Sequence, residues 1–257
     1  MSAVELFARD SGGTGEAVLL VHALGCDHRM WDSLAAQLGD RYRTLALDLR
    51  GHGASPVTAR PYTLEMLAGD ARALLDRLRI ARAHWIGLSL GGMVGQAFAL
   101  AHADRLGKLV LANTTSSYGP AGPASWKARI DAVQAGGLAS IAGMVASRYF
   151  SEAFRAEHPE IVAMVMQRFA ATPQAGYLGC CEAIAELDFT DALASVRAPT
   201  LVIAGAQDAG TPPAMSRSIA ERIPGARLEV IADAAHLSAL ERPAQFAALV
   251  HAFLDAA

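Results

Sequence analysis

Seven short runs of the chain are dominated by apolar residues and predict strands. They are "VELFARD" (4–10), "AVLLVH" (17–22), "RTLALD" (43–48), "HWIGL" (84–88), "KLVLAN" (108–113), "PTLVIAG" (199–205) and "RLEVIAD" (227–233). The central runs do not alternate with polar residues, as expected of strands covered on both faces. Between most of them apolar residues recur at spacings of three and four, the mark of amphipathic helices. Those stretches are "MWDSLAAQL" (30–38), "TLEMLAGDARALLDRL" (63–78), "GGMVGQAFALAHA" (91–103), "AMSRSIAERI" (214–223) and "PAQFAALVHAFLDAA" (243–257). Pro243 suits a first helical turn, where its missing N–H has no partner to lose. Alternation of this kind predicts an α/β fold with a mostly parallel, doubly wound sheet.

The alternation breaks between "LVLANTT" and "VRAPTLVIAG". Four helical patterns fill the gap: "PASWKARIDAVQA", "LASIAGMVASRYF", "PEIVAMVMQRFAA" and "PQAGYLGCCEAIAEL". Each is too short to stand as an independent unit. Together they read as a helical lid inserted between two strands, over the carboxyl edge of the sheet. The expected organisation is an α/β core of residues 1–118 and 190–257, with a lid of residues 119–189.

Composition narrows the function classes. Hydrophobic residues at 53% and charged residues at 18% describe a globular chain. A net charge of −3 with scattered basic residues gives no footprint for nucleic acid or a membrane surface. The N-terminus lacks the apolar core of a signal peptide, and no run approaches the roughly 20 apolar residues of a membrane span. Cys26, Cys180 and Cys181 are an odd, sparse set with an adjacent pair. That is not a disulfide framework and fits a reducing cytoplasm. No Cys/His spacing matches a zinc site. The expected partner is a small molecule, and the oligomeric state stays open.

"GLSLG" (87–91) carries the chemistry. It fits G-x-S-x-G, follows a predicted strand and opens a predicted helix, which is the context of a nucleophile elbow. There Ser89 occupies a cramped strand-to-helix turn, and bulk at the flanking glycines would strike neighbouring backbone. Gly92 and Gly95 continue the small face toward the sheet. The adjoining helix N-terminus favours developing negative charge.

A serine hydroxyl needs a base, and the base needs an orienting acid. The loop "GAQDAGTPP" after one strand offers Asp208, and "AAHLSALERP" after the last strand offers His236. Both loops open at the edge of the sheet where Ser89 is expected. Asp233, three residues before His236, is the rival acid and better suits a local turn. Stabilising an oxyanion takes two donors. The backbone N–H of Leu90 follows the nucleophile, and that of Leu24 lies in the loop "HALGCDHRMW". His22 and His52 read as hydrogen-bonded loop structure. Cys26 has no second base that would make it a rival nucleophile.

With these residues placed, the chain resembles the α/β-hydrolase superfamily along nearly its whole length. "HALG", "DLRGHGAS", "GLSLGGMVGQAFA", "APTLVIAGAQDAGTPP" and "AAHLSALERP" carry the likeness. Within it, "GLSLGG", "WKAR", "SRYF", "GYLGCCEAIAELDF" and "GAQDAGTPP" resemble 3-oxoadipate enol-lactonases, enzymes of aromatic catabolism. That family's nucleophile, acid and base fall on Ser89, Asp208 and His236. The resemblance implies hydrolysis of 3-oxoadipate enol-lactone to 3-oxoadipate through an acyl-enzyme on Ser89, with no metal or organic cofactor. A carboxylesterase, another lactonase, a carbon–carbon bond hydrolase or a cofactor-free perhydrolase would use the same three residues. A binding protein of the same fold is the remaining alternative. The enol-lactone carries a free carboxylate, so the lid should supply a cation. Trp126 and Arg129 lie three apart on a predicted helix and share a face. Trp126 would form an apolar wall and Arg129 a fork for the carboxylate, with Arg148 as the next candidate.

Overall fold

All seven apolar runs contribute to one sheet in a computed structural model, which describes residues 3–256 with the side chain of Asp40 left aside. Residue 257, the end of the last expected helix, lies outside the described residues, as do residues 1 and 2 at the start of the expected core. The strands are β1 (Ala8–Asp10), β2 (Glu16–Val21), β3 (Tyr42–Leu47), β4 (Ala83–Leu88), β5 (Leu106–Ala112), β6 (Thr200–Gly205) and β7 (Arg227–Ile231). Their order is β1-β3-β2-β4-β5-β6-β7. Only β1 runs antiparallel, against β3, and every other pairing is parallel.

β1 is shorter than the expected 4–10, because side chains take the N–H groups that would extend its ladder. Val4 N–H donates to Asp70 Oδ1 (2.9 Å), and Phe7 N–H donates to Ser55 Oγ (2.9 Å). The inner strands β4 and β6 are buried at every position. On the edge strand β7 only Ile231 is buried, so its apolar run is only partly covered.

Eleven α-helices occur among the described residues. α1 (Asp32–Leu38), α2 (Leu64–Arg77) and α3 (Leu90–Ala101) alternate with the first strands, and α9 (Pro213–Arg222), α10 (Ser238–Glu241) and α11 (Pro243–Leu254) follow β6. Thr63 caps α2 by accepting the Met66 N–H (3.1 Å), which satisfies a donor the helix cannot. α2 packs on α3 and α1 on α11. Trp31, Trp85, Phe98 and Phe246 are almost fully buried, and the Trp85 and Phe98 rings lie 5.0 Å apart. Burying such side chains stabilises the core by about 1.5–3 kcal/mol each.

Between β5 and β6 lie α4 (Gly122–Gly136), α5 (Ala142–Tyr149), α6 (Glu152–Glu157), α7 (Pro159–Ala170) and α8 (Gln174–Ala185). Four helices were expected there, and α6 is the fifth. It is six residues long, too short to show a period, and is capped by Ser151, whose Oγ accepts the Phe154 N–H (3.2 Å). The ends of the insertion meet: Phe189 N–H donates to Ser116 O (2.9 Å), and Ser117 bridges to Asp188. No helix among the described residues is long and apolar enough to cross a membrane.

Parallel pairing turns the carboxyl ends of β2, β4, β5, β6 and β7 to one edge. The loops that carry Leu24, Ser89, Asn113, Asp208 and His236 all leave from that edge.

Candidate active site

Ser89 stands between β4 and α3 with φ 56° and ψ −114°. For a serine this left-handed backbone costs about 1–3 kcal/mol and persists only where surroundings impose it. Here they do. Ser89 N–H donates to Ala112 O (2.9 Å), and Thr114 Oγ1 donates to Ser89 O (2.8 Å). A Cβ on Gly87 would lie 2.1 Å from Gly91 O, and one on Gly91 would lie 2.0 Å from Val21 O. The turn therefore excludes any side chain at either glycine.

His236 and Asp208 form a buried pair, with Nδ1 2.8 Å from Oδ2. The same Oδ2 accepts from Asn113 Nδ2 (3.0 Å) and Thr211 Oγ1 (2.8 Å), while Oδ1 accepts the N–H groups of Gly210 (2.8 Å) and Thr211 (2.9 Å). Burial alone would raise the Asp208 carboxyl, but the charge and hydrogen bond of His236, helped by Thr211 and Asn113, hold it below the ordinary aspartate value. An ionised Asp208 only accepts, so Nδ1 carries a proton and Nε2 of the neutral ring is left as an acceptor. Asp233, the rival, is exposed.

The loop after β2 is held by two buried histidines. His22 bonds through Nδ1 to Ala23 O (2.8 Å) and through Nε2 with the Leu49 N–H (2.9 Å). His52 Nε2 accepts the Gly25 N–H (3.0 Å). Burial lowers both pKa values, that of His52 to about 3, so both rings are neutral scaffolding. The Tyr149 hydroxyl donates to Leu24 O. Leu90 N–H is the first of α3 and lacks an acceptor one turn back. Cys26 is buried, and burial pushes its thiol up to about 12, far from a thiolate.

Ser89, His236 and Leu24 line one cavity of about 300 Å³, whose roof is the lid. Trp126 and Arg129 of α4, Arg148 of α5, Tyr149 and Tyr118 contribute to its walls. The Arg129 guanidinium lies 5.1 Å from the Trp126 ring centre and 5.8 Å from that of Tyr177. Its Nε is shut off from solvent with no hydrogen-bond partner. Among the described residues neither Arg129 nor Arg148 belongs to an ion pair.

One cluster has the residue types of a metal site: Asp27, His28 and Asp48, with one ligand atom from each within 4.8 Å of the others. Its oxygens are engaged. Asp48 accepts from His28 N–H (2.7 Å) and His28 Nδ1 (2.9 Å) and from Ala54 N–H (2.8 Å), and Asp27 is forked by Arg29.

Four site residues were not legible in the sequence. Asn113 and Thr211 hold Asp208, and Tyr149 and Glu241 hold the loops. Asn113 left one trace, a polar side chain ending an apolar strand. It adopts φ 45° and ties Asp208 to Ala235 O (3.1 Å), while Ser238 Oγ donates to its Oδ1 (2.5 Å).

A family model described as the alpha/beta hydrolase fold matches residues 16–243. The chain is 38% identical over 238 residues to 3-oxoadipate enol-lactonase 2 of Acinetobacter baylyi, covering 93% of this chain and 88% of that one. Among solved structures, it is similar to the enol-lactonase of Burkholderia xenovorans, with TM-score 0.94, 36% identity and 99% of each chain covered. It is also similar to a thermophilic esterase of Thermogutta terrifontis, solved with malate, with TM-score 0.93, 33% identity and 98% and 93% of the two chains covered.

Proposed function

Because the chain belongs to the α/β-hydrolase family, we propose that it is a serine hydrolase that opens 3-oxoadipate enol-lactone to 3-oxoadipate in aromatic catabolism. The observation that carries the reading is the convergence on one cavity of Ser89, the Asp208-held His236 and a lid arginine, Arg129, that belongs to no ion pair among the described residues.

Ser89 Oγ attacks the ring carbonyl while His236 Nε2 takes its proton. Asp208 keeps His236 in the required tautomer and stabilises the imidazolium that forms. The oxyanion rests on the N–H groups of Leu24 and Leu90. The ring C–O bond breaks, and the leaving enol oxygen takes the proton back from His236. The enol tautomerises to a ketone, which makes ring opening hard to reverse. Water then gives a proton to His236 and attacks the acyl-Ser89 ester; the bond to Ser89 Oγ breaks, Oγ takes that proton back from His236, and 3-oxoadipate leaves. These steps call on no metal or organic cofactor.

The lid reads the substrate's free carboxylate. A cavity-lining guanidinium that belongs to no ion pair can fork an arriving carboxylate through charge-assisted hydrogen bonds. Arg129 offers that fork, Arg148 a second cation at the wall and Trp126 the apolar face. A cavity of about 300 Å³ suits a substrate at the small end of the range. The free, buried cysteines suit a reducing compartment, and a cytoplasmic location belongs to the same reading.

The test is a panel of lactones and esters compared by kcat/KM. The enol-lactone should lead the panel. A neutral ester preferred over it by tenfold or more would overturn the substrate assignment while leaving the hydrolase reading intact.

A further inference from the structure

We infer that Tyr149, a lid residue, is a positioning residue that sets both the oxyanion loop and the base. The inference rests on the reading of Ser89 and His236 as nucleophile and base.

Three contacts leave this one residue. Its hydroxyl donates to Leu24 O. Its ring stacks on the His236 imidazole, with centroids 5.7 Å apart and planes 24° apart. Its carbonyl accepts the Leu237 N–H (2.9 Å), fixing the peptide that follows the base. The residue before the base, Ala235, is held from the same segment at one remove. Ser151 donates through Oγ (2.6 Å) and N–H (3.2 Å) to Glu241 Oε2, and Glu241 Oε1 accepts the Ala235 N–H (2.9 Å).

The first contact matters most for the oxyanion. In a trans peptide the Leu24 N–H points opposite to Ala23 O. His22 pins Ala23 O, His52 pins the Gly25 N–H, and Tyr149 pins Leu24 O between them. With the planes on both sides of Leu24 held, its φ and ψ are held, and so is the direction of its N–H. Of the three anchors only Tyr149 comes from the lid. Burial keeps its phenol well above the ordinary tyrosine value, so it stays a donor at neutral pH. A lid that docks through Tyr149 therefore aligns an oxyanion donor and the base together.

The test is Tyr149→Phe, which keeps the ring and the backbone and removes only the hydroxyl. Activity is measured on p-nitrophenyl acetate and on the enol-lactone. Affinity is measured for a boronic acid, which forms a tetrahedral adduct on an active serine, and for 3-oxoadipate. On both substrates kcat should fall roughly tenfold, a fraction of the ~10²–10³ that losing an oxyanion donor costs. Boronate affinity should fall in parallel, while KM and affinity for 3-oxoadipate stay within about twofold, since only tetrahedral species need the aligned donor. Unchanged kcat and boronate affinity, or an equal loss of 3-oxoadipate affinity, would overturn the role. Ser89→Ala is run alongside. If it is inactive while Tyr149→Phe behaves as wild type, only the Tyr149 role falls. If it is active, the reading of the site falls first.

Discussion

Replacing Asp208 by asparagine tests how the base is oriented. Three donors converge on Oδ2 (His236 Nδ1, Asn113 Nδ2 and Thr211 Oγ1), and two backbone N–H groups converge on Oδ1. An amide has one accepting oxygen, so it must fail one set. If its nitrogen faces the Oδ1 side, the Gly210 and Thr211 N–H groups lose charged acceptors, at about 1–3 kcal/mol each. If its nitrogen faces the Oδ2 side, the Thr211 hydroxyl can rotate, and Asn113 Nδ2 loses one of its two acceptors and keeps Ala235 O. His236 must then accept at Nδ1, which puts its proton on Nε2, where it cannot take one from Ser89. That second arrangement spares the rigid backbone donors and should dominate. The wrong tautomer costs about 10⁴ in kcat in serine-protease triads, or ~5.5 kcal/mol of barrier. The assay is kcat on a chromogenic ester, with thermal unfolding to show that the protein folds. Asp233→Asn is the control: an exposed position should shift stability by no more than ~0.5 kcal/mol and leave kcat alone. Retention of kcat within tenfold in Asp208→Asn, or equal losses in the two variants, would refute the assignment.

Ser89→Ala should fold and lose activity by several orders of magnitude, and a serine-directed phosphonate should label wild type at Ser89 and leave the variant unlabelled. Arg129→Ala should raise KM for the acidic lactone roughly tenfold to a hundredfold, the loss of ~1.5–3 kcal/mol from a charged hydrogen bond, with a small neutral ester nearly unaffected. Equal losses on both substrates would make Arg129 a support of the lid alone. His52 titrates near 6.5 when unfolded and at about 3 when folded. The unfolded chain therefore binds more protons in that window, and stability falls as pH drops below ~6.5, by up to ~1.4 kcal/mol per pH unit from this group. Urea unfolding from pH 7 to 4 should show His52→Asn less stable at pH 7, with Gly25 short of an acceptor, and with a shallower decline; an unchanged slope would show that His52 does not titrate this way.

The strands and core helices were legible because each buries a face, and burial writes a period into the residues that anyone can count. The limits of that signal show where burial thins. β1 shrank to three residues because Asp70 and Ser55, distant in the chain, take the N–H groups of Val4 and Phe7. α6 left no period in its six residues. Ser89 was legible for another reason: only glycines tolerate the 2.0–2.1 Å approach on either side of the turn, so local sterics wrote themselves into a five-residue motif. Asp208 and His236 needed only the rule that parallel strands open their loops at one edge. The choice of Asp208 over Asp233 at Nδ1 was a matter of loop placement, and the 2.8 Å contact belongs to the folded chain. Asn113, Thr211, Tyr149 and Glu241 belong wholly to the tertiary structure. Asn113, Tyr149 and Glu241 work through hydrogen bonds to atoms that are strangers in sequence or to backbone groups any residue could present, and such bonds leave no spacing to read; Thr211 lies only three residues from Asp208, but a threonine in a loop is too common to mark its partner. What the sequence determined is what hydrophobic period and steric exclusion dictate locally. What only the fold decided is which polar groups, brought together from β5, β6, β7 and the lid, would find one another once water was gone.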